Sequence, residues 1–423
     1  MSPVTTLPLN TTDIPRADLD ISAQVRGNPL AWKGQFSPQL IEVLLNTYSQ
    51  PGDCVLDPFV GSGTVLGECA RMQLPAVGTE VNPGAILLAR LYEWANIEVP
   101  VRARALARTT ALLERLVATE TQKASVLDAV PMIRPQSVAV CAQKASPTIR
   151  RILEATLILA DPTWSDLGVG RLMAAHRRIR DFILGLPHSV APVRAHHADA
   201  RAVPMGDASV ELIVTSPPYI NVFNYHQQYR PAVEALDHDV LEVARSEIGS
   251  NRKHRMNRFL TVVQYALDIA ATLDEMKRVL REGGRAIVVI GRESKVRGAS
   301  IPNGSLIGSL AVSAGGLRPL IRQERSFQNR FGECIVEDLL HFERSGAHAS
   351  ISRTAAIGVG TSVLEHVLET TQGDVRADVE AALVLAGVMP STRSTSGLPV
   401  PSGLSGSGLY TCENVRLAVF RSC

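Results

Sequence analysis

Residues 215–219 read TSPPY and follow the apolar run VELIV, and their types suggest a chemical use. Proline lacks a backbone N–H group and has a fixed φ, so Pro217 and Pro218 end a strand and leave stiff carbonyl acceptors. A hydroxyl group precedes the proline pair, and the aromatic ring of Tyr219 follows it. The stretch is therefore suited to accepting hydrogen bonds beside a flat ring.

A second stretch with chemical potential is the glycine-rich loop DPFVGSGT at 57–64. It ends the apolar run CVLDPF and precedes TVLGECARM, which has helical character, so strand, tight loop and helix are predicted in that order. Glu80 lies near the end of the next apolar run, 19 positions after Gly61. An acid about 20 residues beyond such a loop typically accepts hydrogen bonds from ribose hydroxyls, which predicts a cofactor that contains a nucleoside.

The elements that must position these residues follow an α/β pattern. A sheet of about seven strands is predicted, from runs at 54–59, 75–83, 193–204, 210–219, 285–291, 316–327 and 333–343. Residues 86–190 are rich in Ala, Leu and Arg with helical periodicity, which predicts a helical insertion. A long amphipathic helix at 259–282 is predicted to end at Gly283 and Gly284. The expected fold class is α/β, a doubly wound and mostly parallel sheet with a helical insertion.

Composition and charge exclude few classes of function. The 423-residue chain is 45% hydrophobic with a formal net charge of +2, so its total charge demands no nucleic-acid partner and any basic surface must be local. The six cysteines show no CxxC spacing, so no metal site is expected. The N-terminus lacks the apolar stretch of a signal peptide, and no run approaches the roughly 18 apolar residues of a membrane span, which favours a cytoplasmic protein.

DPFVGSGT and TSPPY together resemble the paired signature of the S-adenosylmethionine-dependent DNA amino-methyltransferases, which methylate the exocyclic amino group of cytosine or adenine. The resemblance covers about 28–90 and 193–343, and it includes LAWKGQFSPQLIEVLL at 30–45. It implies a seven-stranded Rossmann-like methyltransferase sheet and the cofactor S-adenosyl-L-methionine. The expected domains are an N-terminal extension (1–27), a methyltransferase domain (28–345, with the insertion at 86–190 as a DNA-recognition candidate) and a partly flexible C-terminal extension (346–423).

The resemblance implies catalytic roles for Ser216, Pro217, Pro218 and Tyr219. An exocyclic amino group is a poor nucleophile because its lone pair is delocalised into the base, and acceptors on its two N–H bonds localise that pair. The Ser216 hydroxyl and the Pro217 carbonyl would be those acceptors, and Tyr219 would stack on a target base flipped out of the duplex. Much of the rate would then come from orientation and electrostatics.

The resemblance also implies a set of cofactor contacts. Gly61 and Gly63 would let the backbone approach the methionine part, and Glu80 would accept from the ribose hydroxyls. Asp199 would accept from the adenine amino group, although an acid in a turn after a strand is the alternative interpretation. The expected cofactor-binding residues are Phe36, Asp57, Pro58, Phe59, Gly61, Gly63, Thr64, Glu80 and Asp199.

Two basic runs are candidates for contact with double-stranded DNA. The run at 245–259, RSEIGSNRKHRMNRF, follows the catalytic strand, and Arg252, Lys253 and Arg255 are predicted to neutralise phosphates. HRRIRDF at 176–182 is the second run. A solvated helix face is the alternative for each.

The expected function is methylation of DNA at the N4 amino group of cytosine, because relatives with Ser-Pro-Pro-Tyr mostly act on cytosine. Adenine-N6 methylation of DNA is the alternative, and methylation of an RNA amino group is a further one. A nicotinamide-dependent oxidoreductase has a use for the glycine loop but none for TSPPY. A non-catalytic nucleic-acid-binding module has no use for the complete set of acceptors. The sequence leaves open whether a separate restriction endonuclease accompanies the enzyme, and whether it is a monomer or a homodimer.

Overall fold

The computed structural model describes residues 6–21, 26–122, 131–221, 224–250, 254, 256–313, 315–328, 332–346 and 349–389. Strands in these ranges are β1 (Val55–Asp57), β2 (Ala76–Glu80), β3 (Met132–Ile133), β4 (Leu167–Gly168), β5 (Val193–His197), β6 (Val210–Thr215), β7 (Leu280–Gly291), β8 (Glu293–Val296), β9 (Ala299–Pro302), β10 (Gly316–Gln328) and β11 (Cys334–Ser345).

Helices surround these strands and make up most of the rest of the described chain. The α-helices are α1 (Arg16–Asp20), α2 (Pro38–Tyr48), α3 (Thr64–Arg71), α4 (Pro83–Ala89), α5 (Val99–Thr121), α6 (Pro135–Lys144), α7 (Pro147–Ala160), α8 (Val169–Gly185), α9 (Arg230–Ala235), α10 (Val240–Ser246), α11 (Leu260–Val279), α12 (Asn303–Ser313), α13 (Arg353–Thr370) and α14 (Gly373–Ala386). Two 3₁₀ helices span Arg90–Asn96 and Tyr225–Gln227.

Seven strands form one sheet in the order β10-β11-β7-β6-β1-β2-β5. The pairs β1–β2, β2–β5, β1–β6 and β6–β7 are parallel, whereas β11 runs antiparallel to both β7 and β10. The chain moves from β1 outward through β2 to β5 and then returns to the other side of β1 with β6. In such sheets ligands bind at this switch of strand order, beyond the carboxyl ends of the strands.

Helices cover both faces of the sheet. Along β1, Val55 packs into one hydrophobic core and Leu56 into the other, and along β7 Ile287 and Val288 divide in the same way. This alternation follows from the two-residue period of a strand, and burial on both faces is typical of a parallel sheet. The α/β sheet and the seven strands predicted from the sequence are confirmed.

The predicted end of the long helix is wrong. The helix α11 ends at Val279, and Gly283 and Gly284 lie inside β7, which begins at Leu280. Leu280 is fully buried and pairs with Val210 of β6. Burial and strand pairing therefore draw the chain into the sheet before it reaches the two glycines.

The insertion between β2 and β5 is helical, as predicted, and contains one short antiparallel pair, β3–β4, that the sequence did not indicate. Its helix α5 is fastened by Arg102, whose side chain is fully buried. That guanidinium donates to the carbonyls of Ile183 and Leu186, at 3.0 and 2.5 Å, at the end of α8. The insertion thus closes onto the segment that leads into β5.

Two helices beyond residue 345 belong to the sheet's second core. Val363 and Leu364 of α13 and Val379 of α14 pack with the buried face of α11. Gly360 marks the closest approach, because a Cβ there would lie 3.0 Å from the Val263 backbone. The Ser/Gly/Pro-rich stretch from residue 390 onward lies outside the described residues.

Candidate active site

A cavity of about 860 Å³, measured with its open mouth, lies beyond the carboxyl ends of β1, β2, β5 and β6. A predicted lining residue lies at or just beyond the end of each of these strands, namely Asp57, Glu80, Asp199 and Ser216. Three predicted residues, Gly63, Pro217 and Tyr219, are not part of the lining. The other predicted catalytic and cofactor residues line it: Phe36, Asp57, Pro58, Phe59, Gly61, Thr64, Glu80, Asp199, Ser216 and Pro218.

Asp57 joins the glycine loop to TSPPY. Its Oδ1 accepts hydrogen bonds from the Phe59 N–H at 3.0 Å and from the Thr215 hydroxyl at 2.7 Å. Its side chain is buried, and burial raises the pKa of Asp57 to about 7 against the opposing effect of those two hydrogen bonds. Thr215, the residue before Ser216, therefore connects the two motifs.

Glu80, at the end of β2, supports the glycine loop. Its Oε2 accepts from the Gly61 N–H at 3.1 Å and its Oε1 from the Asn82 N–H at 2.8 Å. Burial raises the pKa of Glu80 to about 7, which the two backbone hydrogen bonds oppose. Its remaining lone pairs are available to a ligand in the cavity.

Asp199 belongs to a buried ion-pair network. Its Oδ2 lies 2.6 Å from Nη2 of Arg201, and its Oδ1 accepts from Nε of the same side chain at 2.9 Å. Arg201 also donates to Asp268 of α11 at 2.6 Å. The network anchors the loop after β5 to α11, so Asp199 is held more firmly than an ordinary turn acid.

Two glycines of the loop, Gly61 and Gly63, are needed for different structural reasons. Gly61 and Gly63 both have positive φ, 52° and 101°, which favours glycine. A Cβ at Gly63 would lie 2.6 Å from the Tyr92 ring, and one at Gly61 would lie 3.2 Å from the Trp32 ring. The packing of Tyr92 therefore requires Gly63, whereas Gly61 faces the cavity.

The Tyr219 ring is fixed by the two neighbouring strands β7 and β11. Its hydroxyl donates to Glu337 Oε1 at 2.7 Å, and Glu337 Oε2 accepts from Arg325 at 2.7 Å. A Cβ at Gly291 would lie 2.8 Å from the ring, which shows how closely the ring packs on β7. Burial, and then the charge of Glu337, hold the pKa of Tyr219 well above its usual value, so the hydroxyl stays a donor. Pro217 lines a smaller neighbouring cavity.

Sequence reasoning missed several lining residues. Trp32 and Tyr225 lie in the wall with their rings stacked, 6.3 Å between centroids and 15° between planes. Gln35 accepts from both the Trp32 N–H at 3.0 Å and the Ser62 hydroxyl at 3.1 Å, which ties the N-terminal segment to the glycine loop. The aromatic residues within AWKG (31–34) and INVFNY (220–225) could have indicated these two wall residues from the sequence. Glu247 was missed because the run that contains it, 245–259, was interpreted as a DNA contact from its basic residues.

The cavity is acidic. Four carboxylates line it, those of Asp57, Glu80, Asp199 and Glu247, and among its described lining residues Lys33 is the only Lys or Arg. Asp199 is paired with Arg201, and burial raises the pKa of both Asp57 and Glu80 to about 7. A cationic ligand would favour the ionised forms of these last two acids. No group of three or more His, Cys, Asp or Glu side chains that could hold a metal occurs in the described part of the chain.

The predicted DNA contacts Arg252, Lys253 and Arg255 lie outside the described residues. The second basic run falls on α8, where Arg177 and Arg178 are exposed. Neither of these two forms an ion pair with another residue in the described ranges. None of the described helices has the length and hydropathy needed to cross a membrane.

Comparison with known families bears on the first half of this site. The sequence model of a family described as DNA methylase, N6_N4_Mtase, matches residues 17–90. The match includes DPFVGSGT and Glu80. Residues 17–90 are therefore similar to the DNA methylases that this model describes.

Two curated relatives match the chain over short stretches. The type II methyltransferase M.MjaII of Methanocaldococcus jannaschii is 40% identical over 60 residues, which are 14% of this chain and 11% of the relative. The type II methyltransferase M.XycI of Xanthomonas campestris pv. cyanopsidis is 46% identical over 54 residues, 13% of this chain and 18% of the relative. The matched stretches therefore span less than a fifth of either relative.

Similar solved structures include TrmN from Thermus thermophilus, with 15% identity, 75% of this chain and 51% of that chain covered, and a TM-score of 0.32. Another is a putative DNA modification methylase from the same species, complexed with S-adenosyl-L-methionine. It is 20% identical, covers 37% of this chain and 57% of its own, and has a TM-score of 0.21.

Proposed function

We propose that this chain is a DNA methyltransferase that transfers a methyl group from S-adenosyl-L-methionine to the N4 amino group of cytosine. The observation that carries the proposal is that one cavity is lined both by the glycine loop of the DNA methylase segment and by Ser216 and Pro218 of TSPPY. The hydrogen bond between Thr215 and Asp57 fixes the two motifs side by side. A methyl donor and an amino acceptor bound there would meet.

The cavity suits this cofactor in charge and in hydrogen-bonding groups. S-adenosyl-L-methionine supplies a methyl group on a positively charged sulfur, and it also has an ammonium group and ribose hydroxyls. Glu80 offers carboxylate lone pairs at the end of β2, and Asp57 adds a second carboxylate beside the glycine loop. The acidic lining therefore favours the cationic ligand and supplies acceptors for its donors.

Ser216 acts on the target amino group as a hydrogen-bond acceptor. Together with the Pro217 carbonyl it would localise the nitrogen lone pair and orient it for in-line attack. The nitrogen–methyl bond would form as the methyl–sulfur bond breaks, and the proton that the methylated amino group then loses would pass to solvent rather than to the serine. Tyr219, held by Glu337, would offer a ring face to a flipped base beside the acceptors. The protein's contribution is then position and electrostatics.

Methyl transfer from labelled S-adenosyl-L-methionine to duplex DNA, followed by digestion to nucleosides, tests the proposal. N4-methylcytosine is the expected product. Detection of N6-methyladenine would change the assigned target base from cytosine to adenine and leave the proposed mechanism unchanged. Label in RNA and none in duplex DNA would overturn DNA as the substrate. Fractionation of cells that express the chain would check the cytoplasmic location that we propose with this function.

A further inference from the structure

A buried pair, Glu247 and His226, borders the cavity and has no part in the roles proposed above. Glu247 directly follows α10 and lines the cavity, and its side chain is 6% exposed. The His226 side chain is fully buried, and its Nδ1 lies 2.7 Å from Glu247 Oε2. Because a carboxylate only accepts, the imidazole Nδ1 is the donor in this pair.

Each member of this pair has one buried polar atom without a hydrogen-bond partner in the described chain, Glu247 Oε1 and His226 Nε2. Of the two residues, Glu247 lines the cavity and His226 does not. Glu80 and Asp199 differ from Glu247, because both oxygens of each already accept hydrogen bonds. A buried acceptor without a donor is destabilising, so an orphan oxygen on a cavity-lining side chain points to a donor that a ligand supplies.

Glu247 lies at the end of the cavity that Glu80 and Asp199 form. Burial raises the pKa of Glu80, and the charge of nearby Glu247 adds to that rise. The carbonyl of Ser246, the neighbouring residue, accepts from Arg201 Nη2 at 2.9 Å, and this is the guanidinium that holds Asp199. An acid at the position of Glu80 in a doubly wound sheet typically meets a ribose. Glu247 therefore belongs to the nucleoside end of the cavity.

We propose that Glu247 Oε1 accepts a hydrogen bond from the nucleoside of the bound cofactor, and that His226 is a positioning residue that holds the carboxylate for this contact. The inference rests on the proposed function for the identity of that nucleoside. Two kinds of donor are available, the ribose hydroxyls and the adenine 6-amino group. Both give a charge-assisted hydrogen bond in a site screened from water.

Calorimetric binding of S-adenosyl-L-homocysteine tests the contact without any methyl transfer. Glu247→Gln should raise the dissociation constant about tenfold to a hundredfold, because a buried charged acceptor is lost. Glu247→Asp, which retracts the carboxylate by one methylene, should weaken binding as well and serves if the first variant folds poorly. Thermal melting of each variant separates a lost contact from a lost fold.

Analogues identify the donor. S-inosyl-L-homocysteine lacks the 6-amino group, and the 2′-deoxy and 3′-deoxy forms of S-adenosyl-L-homocysteine each lack one ribose hydroxyl. The analogue without the relevant donor should bind the wild-type chain more weakly, and Glu247→Gln should then add little further loss.

His226 is tested by rescue. His226→Phe removes the donor to Glu247 and should weaken binding of S-adenosyl-L-homocysteine, whereas His226→Asn keeps an N–H donor near the Nδ1 position and should restore much of the affinity. A purely structural histidine would not show this difference at equal melting temperature.

The outcomes separate this inference from the proposed function. If the wild-type chain did not bind S-adenosyl-L-homocysteine, the assignment of S-adenosyl-L-methionine as its cofactor would be wrong, and the proposed function would fail with it. Binding to the wild type with equal affinity for Glu247→Gln would overturn the contact and leave the proposed function standing. If Glu247→Gln lowered turnover on DNA but left the affinity for S-adenosyl-L-homocysteine unchanged, Glu247 would act on the target base. That result would also overturn the proposed contact with the cofactor.

Discussion

At the scale of single residues, the role proposed for Ser216 makes the most direct prediction. In the proposed function, Ser216→Ala removes an acceptor that matters most when the amino nitrogen becomes nucleophilic. Turnover should therefore fall roughly a hundredfold or more while cofactor affinity stays the same. Single-turnover methylation and calorimetry measure the two quantities. Ser362→Ala, at an exposed serine on α13, is the matched control and should change neither. Full activity of Ser216→Ala would contradict the acceptor role.

In the proposed function, Asp57 and Glu80 should make cofactor binding depend on pH. The pKa of each is raised to about 7, first of all by burial, and a cationic ligand favours their ionised forms. Cofactor affinity should therefore increase as the pH rises through about 7, with release of protons on binding. Calorimetry at pH 6 and pH 8, in buffers of different ionisation enthalpy, measures both effects. Asp57→Asn should reduce the proton release, and Asp166→Asn, at an exposed position, should not.

The same two carboxyls affect the ligand-free protein in the opposite direction. Their pKa values in the folded chain lie above the unfolded values of 3.8 and 4.5, so the folded state binds more protons between these limits. The stabilisation that these two groups give to the folded state is at its full value below about pH 4. It is lost as the pH rises through about 7, where the folded state also releases the two protons. Urea denaturation of wild type and Asp57→Asn across this range should show a smaller loss in the variant. An identical pH profile for both would exclude Asp57 as a source.

At the scale of elements, the antiparallel strands β10 and β11 support Tyr219 through the Arg325–Glu337 pair. Both of these side chains are buried, so Glu337→Ala would leave the guanidinium unpaired and should lower the free energy of unfolding by about 3–5 kcal/mol. Glu343→Ala breaks the exposed Arg318 pair on the same two strands and should cost about 1 kcal/mol or less. Urea denaturation measures both, and equal losses would contradict the structural role of the buried pair.

Strands and loops with strong local signals could be predicted, and contacts that depend on packing could not. The apolar runs and DPFVGSGT identified β1, β2 and β6 because periodicity and glycine spacing are local properties. The end of α11 was missed because pairing of Leu280 with Val210 involves residues far apart in sequence. Two further features also depend on residues far apart in sequence and could not be predicted. They are the contact of Tyr219 with Glu337, 118 positions away, and the unpartnered oxygen of Glu247.

At the scale of the whole molecule, the charges divide between an acidic cavity and basic segments outside it. Replacing Arg252, Lys253 and Arg255 with Ala should weaken DNA binding for all sequences and reduce the salt slope by up to about 3. Arg281→Ala with Arg318→Ala and Arg376→Ala, at exposed positions outside the insertion, is the control for loss of the same positive charge. Fluorescence anisotropy over a salt series measures the slopes. An unchanged slope in the first triple variant would favour Arg177 and Arg178 on α8 as the phosphate contacts.

In the proposed function, the hydrogen bond from Thr215 to Asp57 lies between the cofactor and the target base. A cationic cofactor that ionises Asp57 would strengthen this bond and so stiffen the turn that meets the target base. Such linkage is reciprocal, so cofactor and flipped base would each tighten the binding of the other by the same factor. Loss of the sulfonium charge after transfer would weaken the linkage, and the spent cofactor and the methylated strand would then part from the protein more readily than their precursors.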